Sequence, residues 1–307
     1  MDRSNQRERA ANLWDPFARK YPQIAKSTEF DKHPETDFED IGGLDEPKDE
    51  ILTYACAATD PEVYSRWGTG KPSGLLLIGP ESCGKTLLVQ ALARHAETPF
   101  VHVNVPRLAV QIMHAGGKVG ELLQGWRQTL AEIERATIFF SELDFMHDLT
   151  VGGPRPEIPV GPIADFLLEL VDETILLDTP LVGASTARPD TLSPIWFEPG
   201  RFERVVSVQP VIPGDIIEAL QIHARLAEER AGRKLFEQVN WARAIEKDRS
   251  SGIGDWVRVL HAVLRRKARG EAADEKPGGV TTEDVLAEVD RFKKASKRLH
   301  ARSGTYL

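Results

Sequence analysis

The chain has 307 residues, 41% of them hydrophobic and 28% charged, with a formal net charge of −8. That is ordinary soluble globular usage, long enough for one large domain and a smaller one, and the acidic balance argues against nucleic acid bound through the whole surface. Cys56 and Cys83 are the two cysteines, which excludes a disulfide framework; the charged opening stretch is no signal peptide, and no apolar run approaches the roughly 20 residues of a membrane span, so a cytoplasmic protein with no membrane span is expected.

Residues 1–37 read as an N-terminal extension. Asp15 and Pro16 have the form of a helix start, and Trp14, Phe17, Tyr21 and Ile24 fall at spacings of three and four, the apolar side of a short helix that Pro22 interrupts. Such an arm either docks on its own domain or recruits a partner. Four apolar residues, Leu75 to Ile78, then predict a buried strand that ends at Gly79. Further strands are expected at 100–105, 137–140, 181–186 and 205–208. Helical spacing covers 108–136, broken at Gly116-Gly117, and also 163–171, whereas Pro and Gly make 151–162 a loop. Apolar strands alternating with helices mean a parallel sheet covered on both faces. From Pro213 onward the pattern is all helix. Asp215 and Glu218 have capping-box spacing, and Thr282 reads as the cap of a last helix that leads into a basic tail (Lys293, Lys294, Lys297, Arg298, Arg302). The boundaries expected are an extension over 1–37, an α/β core over 38–211 and a helical lid over 212–307.

The stretch after the first predicted strand carries the chemistry. Gly79-Pro80-Glu81-Ser82-Cys83-Gly84-Lys85-Thr86 has the P-loop pattern, and Leu87, Leu88 and Val89 open the following helix. Backbone N–H groups of such a loop curl around phosphate oxygens, the glycines let them come close, and the helix N-terminus adds its positive end. Lys85 supplies charge to the outer phosphates, and the Thr86 hydroxyl is the candidate Mg²⁺ ligand. ATP and Mg²⁺ are therefore the expected cofactors. Cys83, at a helix N-terminus, is either a reactive thiol or a small residue that fits.

With these motifs in order, residues 38–292 resemble the AAA ATPases, in the clade of proteasomal and membrane-extracting unfoldases. Phe38 to Leu44 is similar to the family's opening motif, where the backbone at Asp40, Ile41 and Gly42 meets adenine. Leu181 to Arg204 is similar to its second region of homology. His223 matches the lid histidine beside the nucleotide, and Gly252 and Gly254 match the turn that closes over adenine. The resemblance implies an α/β wedge plus a helical lid, and a ring, usually a hexamer, with ATP between subunits.

The resemblance also marks departures. The Walker B pair is Ser141-Glu142 where the family has Asp-Glu; Glu142 is the candidate general base, and Asp144 a candidate substitute for the lost carboxylate. Loss of such a supporting ligand typically costs about 10–100-fold in metal affinity or activity. The sensor Asn is Ala187. The arginine-finger pair is Glu198 and Arg201, so one finger, Arg201, is kept; a finger is worth about 10³–10⁵ in rate. The substrate-gripping loop, near Met113 to Gly117, lacks its aromatic. Two readings follow. In one, ATP supports ring or oligomer assembly with weak hydrolysis, as a homo-oligomer or beside a complete AAA subunit. In the other, the chain is an active remodeller of protein substrates with rearranged catalytic groups.

Overall fold

The computed structural model describes residues 3–113, 119–145, 147 and 160–303, with the side chains of residues 3–5, 58 and 296–303 left aside. His114 to Gly117 of the expected gripping loop, and residues 151–159 of the expected Pro/Gly loop, lie outside the described residues.

The chain divides into two compact units. One gathers residues 1–38, 45–80 and 85–208; the other gathers 39–44, 81–84 and 209–307. The first is an α/β layer. Its helices are α1 (Arg3–Lys20), α2 (Pro22–Ala25), α3 (Asp45–Thr59), α4 (Pro61–Arg66), α5 (Lys85–His95), α6 (Val105–Met113), α7 (Val119–Ile133) and α8 (Val160–Ile175). Its strands are β1 (Thr28–Asp31), β2 (Leu75–Ile78), β3 (Phe100–Asn104), β4 (Thr137–Ser141), β5 (Leu181–Thr186) and β6 (Arg204–Ser207). They form one sheet in the order β1-β3-β4-β5-β2-β6. All neighbours are parallel except β1, which runs antiparallel to β3 along the edge. The sheet is therefore mixed, and β1 is an addition to the parallel sheet expected. The central strands are mostly apolar because helices cover both faces: every residue of β4 and β5 is buried, including the hydroxyl residues Thr137, Ser141, Ser185 and Thr186.

Residues ahead of 38 dock on their own unit. Trp14 and Phe17 join the core, each with its ring centroid 6.1 Å from that of Trp126, and Trp14 stacks on Phe30 at 5.2 Å. Trp126 is fully buried and donates Nε1–H to the Thr174 hydroxyl at 2.8 Å. Gly125 makes room for Tyr21, since a Cβ there would fall 2.4 Å from the Tyr21 ring. The helix start expected at Asp15-Pro16 is not one. Pro16 lies inside α1, where burial of Trp14 and Phe17 on the same helix offsets the backbone bond that proline cannot donate. Similarly, α8 begins at Val160, inside the stretch expected to be loop up to Pro162.

The second unit is helical: α9 (Gly214–Ala231), α10 (Trp241–Glu246), α11 (Ile253–Glu271) and α12 (Thr282–Ser303) around a core that includes Trp256, Leu220 and Val289. The expected capping box of Asp215 and Glu218 does not form. Asp215 reaches back to the Val211 N–H at 2.8 Å, and Glu218 accepts the Gly43 N–H at 2.8 Å. A box of this kind closes instead at the start of α12, at Thr281, one residue before the expected cap Thr282. Thr281 Oγ1 accepts the Asp284 N–H at 3.2 Å while Asp284 accepts the Thr281 N–H at 2.9 Å. Thr282, the residue expected to cap, accepts the Asn240 N–H at 2.9 Å.

Candidate functional site

The α/β unit presents Gly79, Pro80, Lys85, Thr86 and Leu87 at the C-terminal end of β2 and the start of α5. Lys85 Nζ donates to the carbonyls of Gly79 at 2.7 Å and Pro80 at 2.6 Å, so the ammonium curls over its own loop. Thr86 is half-buried and Leu87 exposed, at the first turn of a helix whose inner face (Leu88, Val89, Leu92) is buried. Among the remaining loop residues, Ser82 and Gly84 have φ of 56° and 103°. Gly84 fits its place because that φ is one L side chains rarely adopt. Cys83 is 1% exposed, which fits the small-residue reading and takes the thiol out of easy reach of a reagent.

The helical unit presents the other candidates. Asp40 is exposed, while Ile41 and Gly42 are buried, and a Cβ on Gly42 would fall 2.1 Å from the Ala219 backbone nitrogen, so α9 crosses the segment in direct backbone contact. Gly252 precedes α11. Gly254 donates its N–H to the Ser82 carbonyl at 3.0 Å, and a Cβ on it would meet Ser82 at 2.6 Å. Both glycines thus border the loop segment 81–84. His223, on α9, lies edge-on to His261 of α11 at 5.9 Å. Burial, then the neighbouring His261 and Arg230, hold the His223 imidazole below its usual pKa, in the neutral form.

At the end of β4, Ser141 is buried and Glu142 exposed. Glu142 has φ of 63°, a left-handed conformation that costs a non-glycine residue about 1–2 kcal/mol. Ser185 holds the turn: its Oγ accepts the Glu142 N–H at 3.4 Å and its carbonyl accepts the Leu143 N–H at 3.0 Å. Asp144 is turned away from solvent. It accepts from the Thr186 hydroxyl and Arg188 Nε, each at 2.9 Å, and from the Ala187 N–H at 3.4 Å. Burial alone would raise its pKa, but the bonds from Arg188 and Thr186 outweigh burial and keep the carboxyl below its usual range. Its oxygens are engaged with the turn after β5.

Arg201 is more tightly held. Its Nε and Nη2 form a bidentate pair with Asp172 of α8 at 2.7 and 2.8 Å, and Nη1 donates to Glu198 at 2.6 Å and to the Ile195 carbonyl at 2.9 Å. The side chain is 17% exposed, and the bonds to Asp172 raise an already high pKa further.

Three residues were missed by sequence reasoning. The Ser141 hydroxyl lies 2.9 Å from His102 Nε2, and His102 Nδ1 lies 3.7 Å from a Glu29 oxygen. The register explains the row: Glu29 faces His102 across β1 and β3, and Ser141 sits diagonally from His102 across β3 and β4. Burial lowers the His102 pKa despite Glu29. The third is Asp172, partner of Arg201. No local spacing announces any of these contacts; the only signal is which strand or helix lies next to which.

Residues 75–210 match the profile of the ATPase family associated with various cellular activities (AAA). The chain belongs to this family. Among curated AAA proteins, it is 34% identical to the proteasome-activating nucleotidase of Methanopyrus kandleri over 217 residues, covering 67% of this chain and 48% of that protein. It is 29% identical to the cell division cycle protein 48 homologue of Archaeoglobus fulgidus, covering 86% of this chain and 34% of the relative. It is 29% identical to the ATP-dependent zinc metalloprotease FtsH of Aquifex aeolicus, covering 87% and 40%. The chain thus spans about half or less of the length of these relatives. The AAA profile takes in β2, the P-loop, β4 and the segment from β5 to β6, so Lys85, Glu142, Asp144 and Arg201 lie within an AAA domain that carries a P-loop. No helix among the described residues is long and apolar enough to cross a membrane.

Proposed function

We propose that this chain is an ATP-binding AAA subunit in which nucleotide supports conformation or oligomer assembly and hydrolysis is weak. The observation that carries the reading is the locking of Arg201: Glu198, which stands where the family's pattern has an arginine, is one of the two carboxylates that hold it. A guanidinium with four of its contacts satisfied inside its own chain is poorly placed to meet a neighbour's phosphate. The engagement of Asp144 with Thr186 and Arg188 supports the same reading, because that carboxylate is not at liberty to replace the one missing at Ser141.

The residues fit the cofactor. The positive φ at Gly84 and the carbonyl-bound ammonium of Lys85 suit a loop whose lysine exchanges backbone carbonyls for phosphate oxygens. Lys85 and the loop amides would hold the phosphates, Thr86 the Mg²⁺, and residues 40–42, His223, Gly252 and Gly254 the base. ATP supplies the phosphate charge and the scissile bond. The chain's own groups orient it, and Glu142 is the base candidate for whatever hydrolysis occurs. A ligand that binds only the assembled state stabilises that state by mass action. The assembly we propose is a ring, a hexamer of this chain or a mixed ring beside a catalytically complete AAA subunit, in the cytoplasm.

Glu142 favours the second reading, an active remodeller of protein substrates. It is exposed at the strand end, in a strained conformation of the kind found at functional sites. ATP affinity, hydrolysis and oligomer mass measured together on the purified chain decide between the two. We expect Mg²⁺-dependent binding, a change of mass with nucleotide and little turnover. Brisk hydrolysis abolished by Glu142→Gln overturns the proposal.

A further inference from the structure

The helical unit has a cleft that no part of the reading above uses. It lies between the C-terminal half of α9 and α11, with residues 277–280 at one end, and encloses about 450 Å³, within the range of ligand pockets. Its floor is apolar, with Ala227, Leu235, Leu264 and Val280. Its rim is cationic: Arg230, Arg233, Lys234 and Lys267 against one carboxylate, Glu271, among the described lining residues. That is unexpected in a chain of net charge −8.

Two of the four cations are neutralised locally, Arg233 by Glu271 and Lys267 by Asp284, each at 2.7 Å. Arg230 and Lys234 enter no ion pair among the described residues. Glu228, two positions before Arg230, spends one oxygen on the N–H groups of Leu235 and Phe236 at 2.9 and 3.0 Å. The field of Arg230 is felt nearby: after burial and their nearer cationic or imidazole neighbours, it helps to hold both His223 and His261 below their usual pKa.

We propose that this cleft binds an acidic peptide segment of a partner protein, with apolar side chains in the floor and flanking carboxylates on Arg230 and Lys234. Charge complementarity sets the sign of the ligand. The apolar floor excludes a plain polyanion such as nucleic acid, which would leave it uncovered. Two unpaired cations ask for more than the single carboxylate of a fatty acid. An apolar face laid in a groove between helices, with charged residues at its edges, is a common way to recognise a peptide.

The test titrates the full chain with a fluorescein-labelled peptide carrying two leucines among glutamates, read by anisotropy. Its counterpart has serine for leucine at the same charge. The leucine peptide should bind, and the serine peptide about tenfold or more weakly, since a buried leucine contributes about 1.5–3 kcal/mol. Arg230→Glu with Lys234→Glu should weaken the leucine peptide by about tenfold or more at an unchanged melting temperature. Both side chains are exposed, so the fold has no need of them. Ala231→Trp, at another exposed lining position, should block the cleft without a change of charge. Equal binding of the two peptides, or no effect of either variant, overturns the proposal. So does decanoate binding without peptide binding, which would make the cleft a small-carboxylate site. A loss of oligomer mass in the charge-reversed variant without peptide binding overturns it too, and assigns the cleft to a second copy of the chain.

Discussion

Lys85 and Arg201 are both cations expected to face phosphate, and the fold treats them oppositely. Lys85 rests on two backbone carbonyls of its own loop, neutral acceptors that a phosphate can outcompete. Arg201 rests on two carboxylates, one of them in a bidentate fork. The first arrangement leaves a charge to be used; the second has already used it. On the function proposed above, a motif can keep its residue while a neighbour, here Glu198 beside Arg201, holds that residue away from its role.

The sharpest way to break this contrast is Lys85→Ala. Removal of a charge-assisted contact of about 1.5–3 kcal/mol should weaken ATP by about 10–100-fold in a binding titration, while Arg201→Ala should leave ATP affinity unchanged in the same assay. If Arg201→Ala weakens ATP as much, the two cations are not distinct. Next in size is Ser141→Asp. A carboxylate at the end of β4, where the family's pattern has one, should strengthen the Mg²⁺ dependence of ATP binding by about tenfold, as supporting metal ligands do. No change would mean that the metal is held without this position. Asp172→Asn should cost about 1–2 kcal/mol in a denaturant melt, a figure discounted for the partial exposure of the pair, with nucleotide affinity intact. If stability holds and hydrolysis rises, Arg201 is a finger kept in reserve rather than a pin. The smallest effect concerns pH. The folded-state pKa of Asp144 lies below its unfolded value of about 4, so its contribution to stability is full above that value and fades as pH falls through the folded pKa. Asp144→Asn should flatten the acid side of a stability–pH curve, and an unchanged curve would show that the bonds from Thr186 and Arg188 carry no net charge preference.

The P-loop, the strands and the helical second unit could be read from the chain because each is local. Leu75 to Ile78 followed by Gly79 and Gly84-Lys85-Thr86 states strand, turn and helix within twelve residues. What could not be read depends on distant neighbours. Thr28-Glu29-Phe30-Asp31 is too short and too polar to announce an edge strand until β3 is beside it. Pro16 reads as a helix start because its cost is local, whereas the aromatic packing that offsets it lies more than a hundred residues away at Trp126. The fate of Arg201 depends on Asp172, which lies 29 positions earlier on α8. Thr281 and Thr282 are adjacent candidates for one cap, and only the hydrogen bonds choose between them.

β1 also changes how an amputation of the leading segment would have to be interpreted. A chain cut back to Asp37 sheds the strand that shields the backbone of β3 and empties the slots that hold Trp14 and Phe17. It would bare an unpaired sheet border, prone to stick to other chains. Loss of assembly after such a cut would report a damaged scaffold and say nothing about recruitment. Point changes on the outer side of α1, such as Arg9→Ala, are the cleaner probe, because they leave the shield in place.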